Sequence, residues 1–193
     1  NFIVSRHIIR TILLASITSS IYLFASCDRE TNKSFEKKIF RYNEASGIMT
    51  LDPAFARDQA HIWVCNQLYN GLVQADDSLY IKPSIASHWE ISDDGLEYIF
   101  HLRDDVYFHQ DDVFNGAKRK VVASDFVFSL KRLASAKTAS PGSWVLSKVA
   151  RLIDTLAIKA INDSTLFIQL ERPFPPFLSI LSMQYCAVLP HEA

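Results

Sequence analysis

Between residues 101 and 112 lie six side chains that ligate metals: His101, Asp104, Asp105, His109, Asp111 and Asp112. Imidazole nitrogen with carboxylate oxygen is a donor set for zinc and its neighbours. The spacing does not assemble it. On a strand His101 shares a face with Arg103, which would set a guanidinium beside the cation, and a turn separates His109 from both. No H-E-x-x-H or comparable pattern occurs. The charges read as solvated hairpin ends, and no metal is expected. A Ser-His-Asp or Cys-His hydrolase needs a presented nucleophile, and no G-x-S-x-G elbow is present. The glycines Gly47, Gly71, Gly95, Gly116 and Gly142 stand too far apart to cradle a phosphate. That excludes P-loop and dinucleotide sites. No catalytic residue is visible.

Three cysteines, Cys27, Cys65 and Cys186, make neither a zinc ribbon nor a disulfide framework. Cys65 and Cys186 could pair in an oxidising compartment or stay as two buried, unpaired thiols, the second reading being slightly preferred. Pro173-x-x-Pro176 reads as a structural turn rather than a peptide ligand. Twenty Lys+Arg against twenty-one Asp+Glu give a formal charge of -1. That balance offers no footprint for nucleic acid and no polybasic membrane patch. A hydrophobic content of 49% and an aromatic content of 12% suit a packed core. Trp63, Trp89, Tyr98, Phe100, Phe108, Phe126 and Phe128 fall at core spacing, most of them for packing.

The amino terminus has a different character. Arg6, His7 and Arg10 precede sixteen uncharged residues, Thr11 to Ser26. A basic start, a short apolar run and small residues at its end make a secretory signal. The run is too short for a spanning helix, which needs about 20 apolar residues. Leu23-Phe24-Ala25-Ser26-Cys27 resembles a bacterial lipobox, with Phe24 where Leu is usual. The resemblance implies cleavage before Cys27 and lipidation of its thiol, which holds a protein on a membrane firmly. Residues 28 to 34 are polar and aperiodic, as a tether is.

The elements that would position any site follow from periodicity. Lys38 to Tyr42 alternates as a strand does. Leu51-Asp52-Pro53 is a turn, because Pro53 fixes φ and restricts Asp52. Asp58 to Asn70 reads as a helix, with Gly71 as its C′ glycine. His88–Ile91 and Leu96–Leu102 flank Ser92-Asp93-Asp94-Gly95, a strong hairpin signal. A turn at Asp104-Asp105 precedes Val106 to Phe108. Asp125 to Ala136 is an amphipathic helix carrying Phe126, Val127, Leu130, Leu133 and Ala134 on one face, with Ser124 as its cap. Ala139 to Gly142 breaks the chain. Ala157–Ile161 and Thr165–Leu170 form a second hairpin about Asn162-Asp163-Ser164, and a short helix begins at Phe177 after Pro173, Pro175 and Pro176.

Read in order, these pieces resemble the family 5 extracellular solute-binding proteins, the oligopeptide- and dipeptide-binding components of ABC importers. The matching segments are Leu51-Asp52-Pro53-Ala54, Leu68 to Val73, Ile81 to Glu90, Ser92 to Arg103, Val106 to His109, Ala123 to Leu130, Ile161 to Asp163 and Leu170 to Phe177. The loop from Gln110 to Lys120 is longer than the family's usual turn, and the family's chain is much longer than this one.

The resemblance implies a mixed α/β, periplasmic-binding-protein-like fold of class II type, with two lobes closing on a ligand. The expected organisation is a lipoprotein signal over 1–26, a tether over 27–38 and the first segment of lobe I over 39–74. The family's extra β-rich α+β domain follows over 75–185, then a return toward lobe I over 186–193 where the sequence is cut. It also implies an exported protein on the periplasmic side of the envelope, lipid-anchored through Cys27, monomeric, and served by an ABC permease and ATPase. It would be no enzyme and need no cofactor. The ligand would be a peptide, with a nickel chelate, haem or oligosaccharide as other solutes, or an envelope sensor role without transport. In peptide-binding members the stretch after the Leu-Asp-Pro turn runs along the cleft. Here that stretch is Ala56-Arg57-Asp58-Gln59, so Arg57, Asp58 and Gln59 are the expected ligand residues, with a surface Arg57 and a helix-capping Asp58 as the equally weighted other reading.

Overall fold

A computed structural model describes residues 41–45, 47–153 and 155–192. The signal, Cys27, the tether and most of the strand expected over 38–42 lie outside the described residues; Arg41 and Tyr42 are not in a strand. From Glu44 onward the described residues form one compact unit.

A helix, α1 (Gln59–Leu68), leads into a two-stranded antiparallel ribbon, β1 (Val73–Ala75) and β2 (Ile81–Pro83). Then come β3 (Ala86–Ile91), β4 (Glu97–Leu102), helix α2 (Ala123–Ala134), β5 (Ile158–Asn162), β6 (Thr165–Gln169) and helix α3 (Phe177–Leu181). The last four strands make one antiparallel sheet in the order β3-β4-β6-β5. Both hairpins lie where the turn residues put them, and Gly95 has the positive φ, +68°, that its turn requires.

One face of the sheet is the core. Tyr98, Phe100 and Leu102 of β4 point inward with Leu166 and Ile168 of β6, and Phe100 sits opposite Leu166 in register. α2 covers this face over β5 and β6. Its stripe of Ala123, Phe126, Leu130 and Leu133 is fully buried, the consequence of apolar residues at helical spacing. Phe177 and Leu181 of α3 close the side, with the Phe177 ring edge-on to Tyr98 at 5.0 Å. The same core takes in Ala54, Leu72 and Val73 at one end of the chain and Cys186 and Val188 at the other.

Three local expectations are corrected. Ser124 does not cap α2, which begins at Ala123, two residues before the expected Asp125, with Val122 as its N-cap. Asp125 reaches back instead and accepts from the Val122 N–H at 3.0 Å. Gly71 is no C′ glycine: α1 ends at Leu68 with an extended Tyr69, and Gly71 lacks a positive φ. It is small because a Cβ there would stand 3.4 Å from the carbonyl oxygens of Leu181 and Cys186. Trp63 is half exposed rather than core, as α1 buries only Ala60, His61 and Cys65.

Candidate functional site

Residues 48–61 form a tightly held corner. Thr50 Oγ1 accepts from the Asp52 N–H at 3.1 Å, and Asp52 Oδ1 accepts from the Ala54 N–H at 3.0 Å, starting a 3-10 turn over Pro53–Phe55. The Leu-Asp-Pro motif is thus a cap followed by proline at the first helical position, where the missing N–H costs nothing. Asp52 also pairs with Arg132 of α2, eighty residues away, through both carboxylate oxygens. The Ser140 hydroxyl donates to the Ala54 carbonyl at 2.5 Å.

The expected ligand stretch begins where this turn ends. The Arg57 N–H donates to the Phe55 carbonyl at 2.8 Å, and the Arg57 side chain points into solvent. Asp58 is the N-cap of α1: its carboxylate accepts from the His61 N–H at 3.1 Å and faces His61 Nδ1 at 2.6 Å. These bonds hold the Asp58 carboxyl below its usual range. The Met49 N–H donates to His61 Nε2 at 3.2 Å. With Nε2 accepting that bond, the ring presents its Nδ1 hydrogen to Asp58. His61 is the residue sequence reasoning missed here. Its place three residues after a capping Asp was the available signal.

Asp58 and Gln59 line a cavity of about 360 Å³ with Gly47, Met49, Ala60 and His61. Arg57 is not part of its wall. Of the three expected residues the structure therefore brings two together, and the Asp58 carboxylate is already engaged by His61. A second cavity of about 370 Å³ lies between the Tyr107–Phe114 loop and the segments around Tyr69 and Leu189. Its wall is mainly apolar, with His109 and Asp111 at the loop side.

The six metal-type residues of 101–112 do not converge. Arg103 takes both oxygens of Asp105 at 2.9 Å, which depresses that carboxyl, and Asp111 caps the Asp112–Phe114 turn. Among the described residues two other groups bring three donors together: His88, Glu90 and His101, and Asp125, His191 and Glu192. In the second, Arg119 occupies the cation's place, 2.7 Å from Asp125 and 2.8 Å from Glu192. Of the two readings left open for Cys65 and Cys186, the structure has the free one: both thiols are unpaired and buried.

The family model described as bacterial extracellular solute-binding proteins, family 5 Middle, matches residues 80–192. The probable deoxycholate-binding periplasmic protein YgiS of Escherichia coli (strain K12) is 32% identical over 190 residues, which is 93% of this chain and 34% of that protein. Heme-binding protein A of Haemophilus influenzae is 31% identical over 189 residues, 94% of this chain and 34% of that one. Among solved structures, Haemophilus influenzae OppA in complex with RPPGFSPFR superposes with a TM-score of 0.66 at 29% identity. That match covers 74% of this chain and 29% of that one. The chain spans about a third of the length of the curated relatives it matches.

Proposed function

The chain belongs to family 5 of the bacterial extracellular solute-binding proteins, and from that premise we propose that it is part of a substrate-binding lipoprotein that captures peptides outside the membrane for an ABC importer. The observation that carries the reading is the shared fold with OppA, whose solved complex holds RPPGFSPFR. Peptide capture also suits the corner at 48–61. An extended ligand pairs through its main chain, so the protein needs a fixed backbone edge more than a particular side chain. Asp58 fixes that edge by capping α1 and orienting His61, while Gln59 faces the cavity. Arg57, exposed at the same corner, presents a guanidinium suited to a ligand carboxylate.

The organisation proposed is a signal over 1–26, lipidation at Cys27, a tether to 38, lobe I over 39–74, the extra domain over 75–185 and a return over 186–193. Met49, Leu51 and Leu68 are exposed apolar side chains on the proposed lobe I segment. Such a surface suits a lobe that continues in further chain. The partners proposed are an ABC permease and ATPase.

A second reading replaces the peptide with another solute, favoured by the names of the two relatives above, one for deoxycholate and one for haem. Thermal unfolding of the complete gene product decides between them, since a ligand that binds only the folded state raises the melting temperature. A shift with di- to nonapeptides supports peptide capture. No shift with peptides and a shift with haem or a bile salt overturns it.

A further inference from the structure

Ala86 of β3 is fully buried opposite Leu102, so strict alternation would turn His88 into the core as well. It does not, because the register shifts between Ala86 and His88 and Ser87 is the extra residue. A one-residue bulge reverses which side chains face out. Trp89 now stands opposite Phe100, and His88 faces outward directly opposite His101. Glu90, paired with Ile99, is the diagonal neighbour of His101 on the same outer face.

Two imidazoles and a carboxylate consequently meet on the outside of the β3–β4 hairpin. The His88 and His101 rings stack 4.4 Å apart and within 10° of parallel. His101 Nε2 lies 2.9 Å from Glu90 Oε1. One donor atom from each of the three residues falls within 4.8 Å of the others. The bulge residue adds an orienting bond. The Ser87 hydroxyl spends its one hydrogen on the His101 carbonyl at 2.9 Å, so its oxygen can only accept from His88 Nδ1 at 3.0 Å. That places a His88 hydrogen on Nδ1, so that in the neutral ring Nε2 carries the lone pair with which imidazole ligates a metal.

We infer that His88, Glu90 and His101 form a surface site for one divalent transition-metal ion of the zinc class. Two imidazoles and one carboxylate supply three ligands, and water fills the open position. Bonds of 2.0–2.1 Å around a tetrahedral ion set donor atoms about 3.3 Å apart. The His101–Glu90 separation of 2.9 Å is close to that already, and a His88 nitrogen lies within 4.8 Å of both. The bound ion would pin the edge strand β3 to β4. This site shares no residue with the proposed solute site and does not depend on it.

The test is calorimetric titration of Zn²⁺ into the complete gene product after chelator treatment. One ion per chain is expected, with His88→Ala and His101→Ala each weakening binding by about tenfold or more and His191→Ala leaving it unchanged. Ser87→Ala should lower Zn²⁺ affinity severalfold while the melting temperature measured in chelator stays at the wild-type value, as expected of a positioning residue. Ser87, His88 and His191 are exposed and His101 is partly so, and melting in chelator checks that each variant is folded. Absence of Zn²⁺ binding, or an affinity indifferent to both His88→Ala and His101→Ala, overturns the inference.

Discussion

Asp52 and Arg132 offer the most direct way to ask what holds the 48–61 corner in place. Their side chains are 25% and 30% exposed, and Arg132 forks onto both carboxylate oxygens. The hydrogen bonds that Arg132 donates to that carboxylate raise the guanidinium pKa above its ordinary value, offset in part by burial. Exposed ion pairs are worth about 0.2–1 kcal/mol, and breaking a fully buried pair costs about 3–5 kcal/mol. With a quarter to a third of each partner still wet, Arg132→Met should cost about 2 kcal/mol. Asp52→Asn should cost about the same, because Asn is as good a cap and keeps the bond to the Ala54 N–H, so only the charge is lost.

The double variant isolates the pair. If the two groups stabilise the fold by acting on each other, the double variant loses about 1–2 kcal/mol less than the sum of the singles. Urea unfolding of the complete gene product measures this, and an Arg103→Met/Asp105→Asn cycle serves as the control. That pair is 48% and 63% exposed and two residues apart, so little coupling is expected. A structural readout accompanies the energy. Cys65 Sγ contacts the Leu51 carbonyl at 3.7 Å and is wholly buried. Freeing the corner should therefore speed alkylation of Cys65 in Arg132→Met. Additivity within about 0.5 kcal/mol, together with unchanged alkylation, would refute the role given to the pair.

Two further outcomes follow from close packing and burial. A Cβ at Gly142 would lie 2.2 Å from Tyr185 Cδ1, although its φ of -86° suits any residue. Gly142→Ala should cost about 1–3 kcal/mol by overpacking, and adding Tyr185→Ala should recover part of that loss; equal or greater loss in the double variant contradicts the contact. Burial raises the Cys186 thiol from 9.0 to about 12, so the unfolded chain ionises first as pH rises. Stability should fall from about pH 9 and level off near pH 12, by up to about 1.4 kcal/mol per pH unit. Cys186→Ala should flatten that decline in pH-dependent melting, and an unchanged slope would count against it.

What could be read from the sequence was local. The Asp-Gly turn at 94–95, the apolar stripe of α2 and the proline-led start of α3 each depend on residues within one turn of themselves. The strand order did not follow from such signals, because β4 pairs with β6 across more than sixty residues. Gly71 was assigned the wrong task for the same reason: the carbonyls that crowd it come from residues 181 and 186. Ser124 lost the cap to Asp125, whose buried carboxylate also binds Arg119, a partner that the sequence does not place beside it. In the candidate site, Asp58 stood at a helix start that its residue type announces. Its bond to His61 and the further link to Met49 depend on the loop before α1 folding back. His88 was hidden more completely, since a single inserted residue decides which face it takes.

The bonds at the corner also constrain how a ligand's pull would spread. Between the segment ending at residue 74 and the chain after it run the Asp52–Arg132 pair, the Ser140–Ala54 hydrogen bond, and backbone bonds from Ser84 and Ala86 to Leu72 and from Ile85 to Gly71. The Val188 N–H adds another, to the Asn70 carbonyl. Buried Leu72, Val73, Phe177 and Leu181 fill the space between them in one continuous core. A hinge passing through residue 74 would have to break all of these bonds and open that core, at a cost far above the few kcal/mol that separate open from closed states. The first segment and the sheet therefore move as one body. If the stretch 56–59 grips a ligand as proposed, the whole unit would hold it, because the corner is bonded into this core.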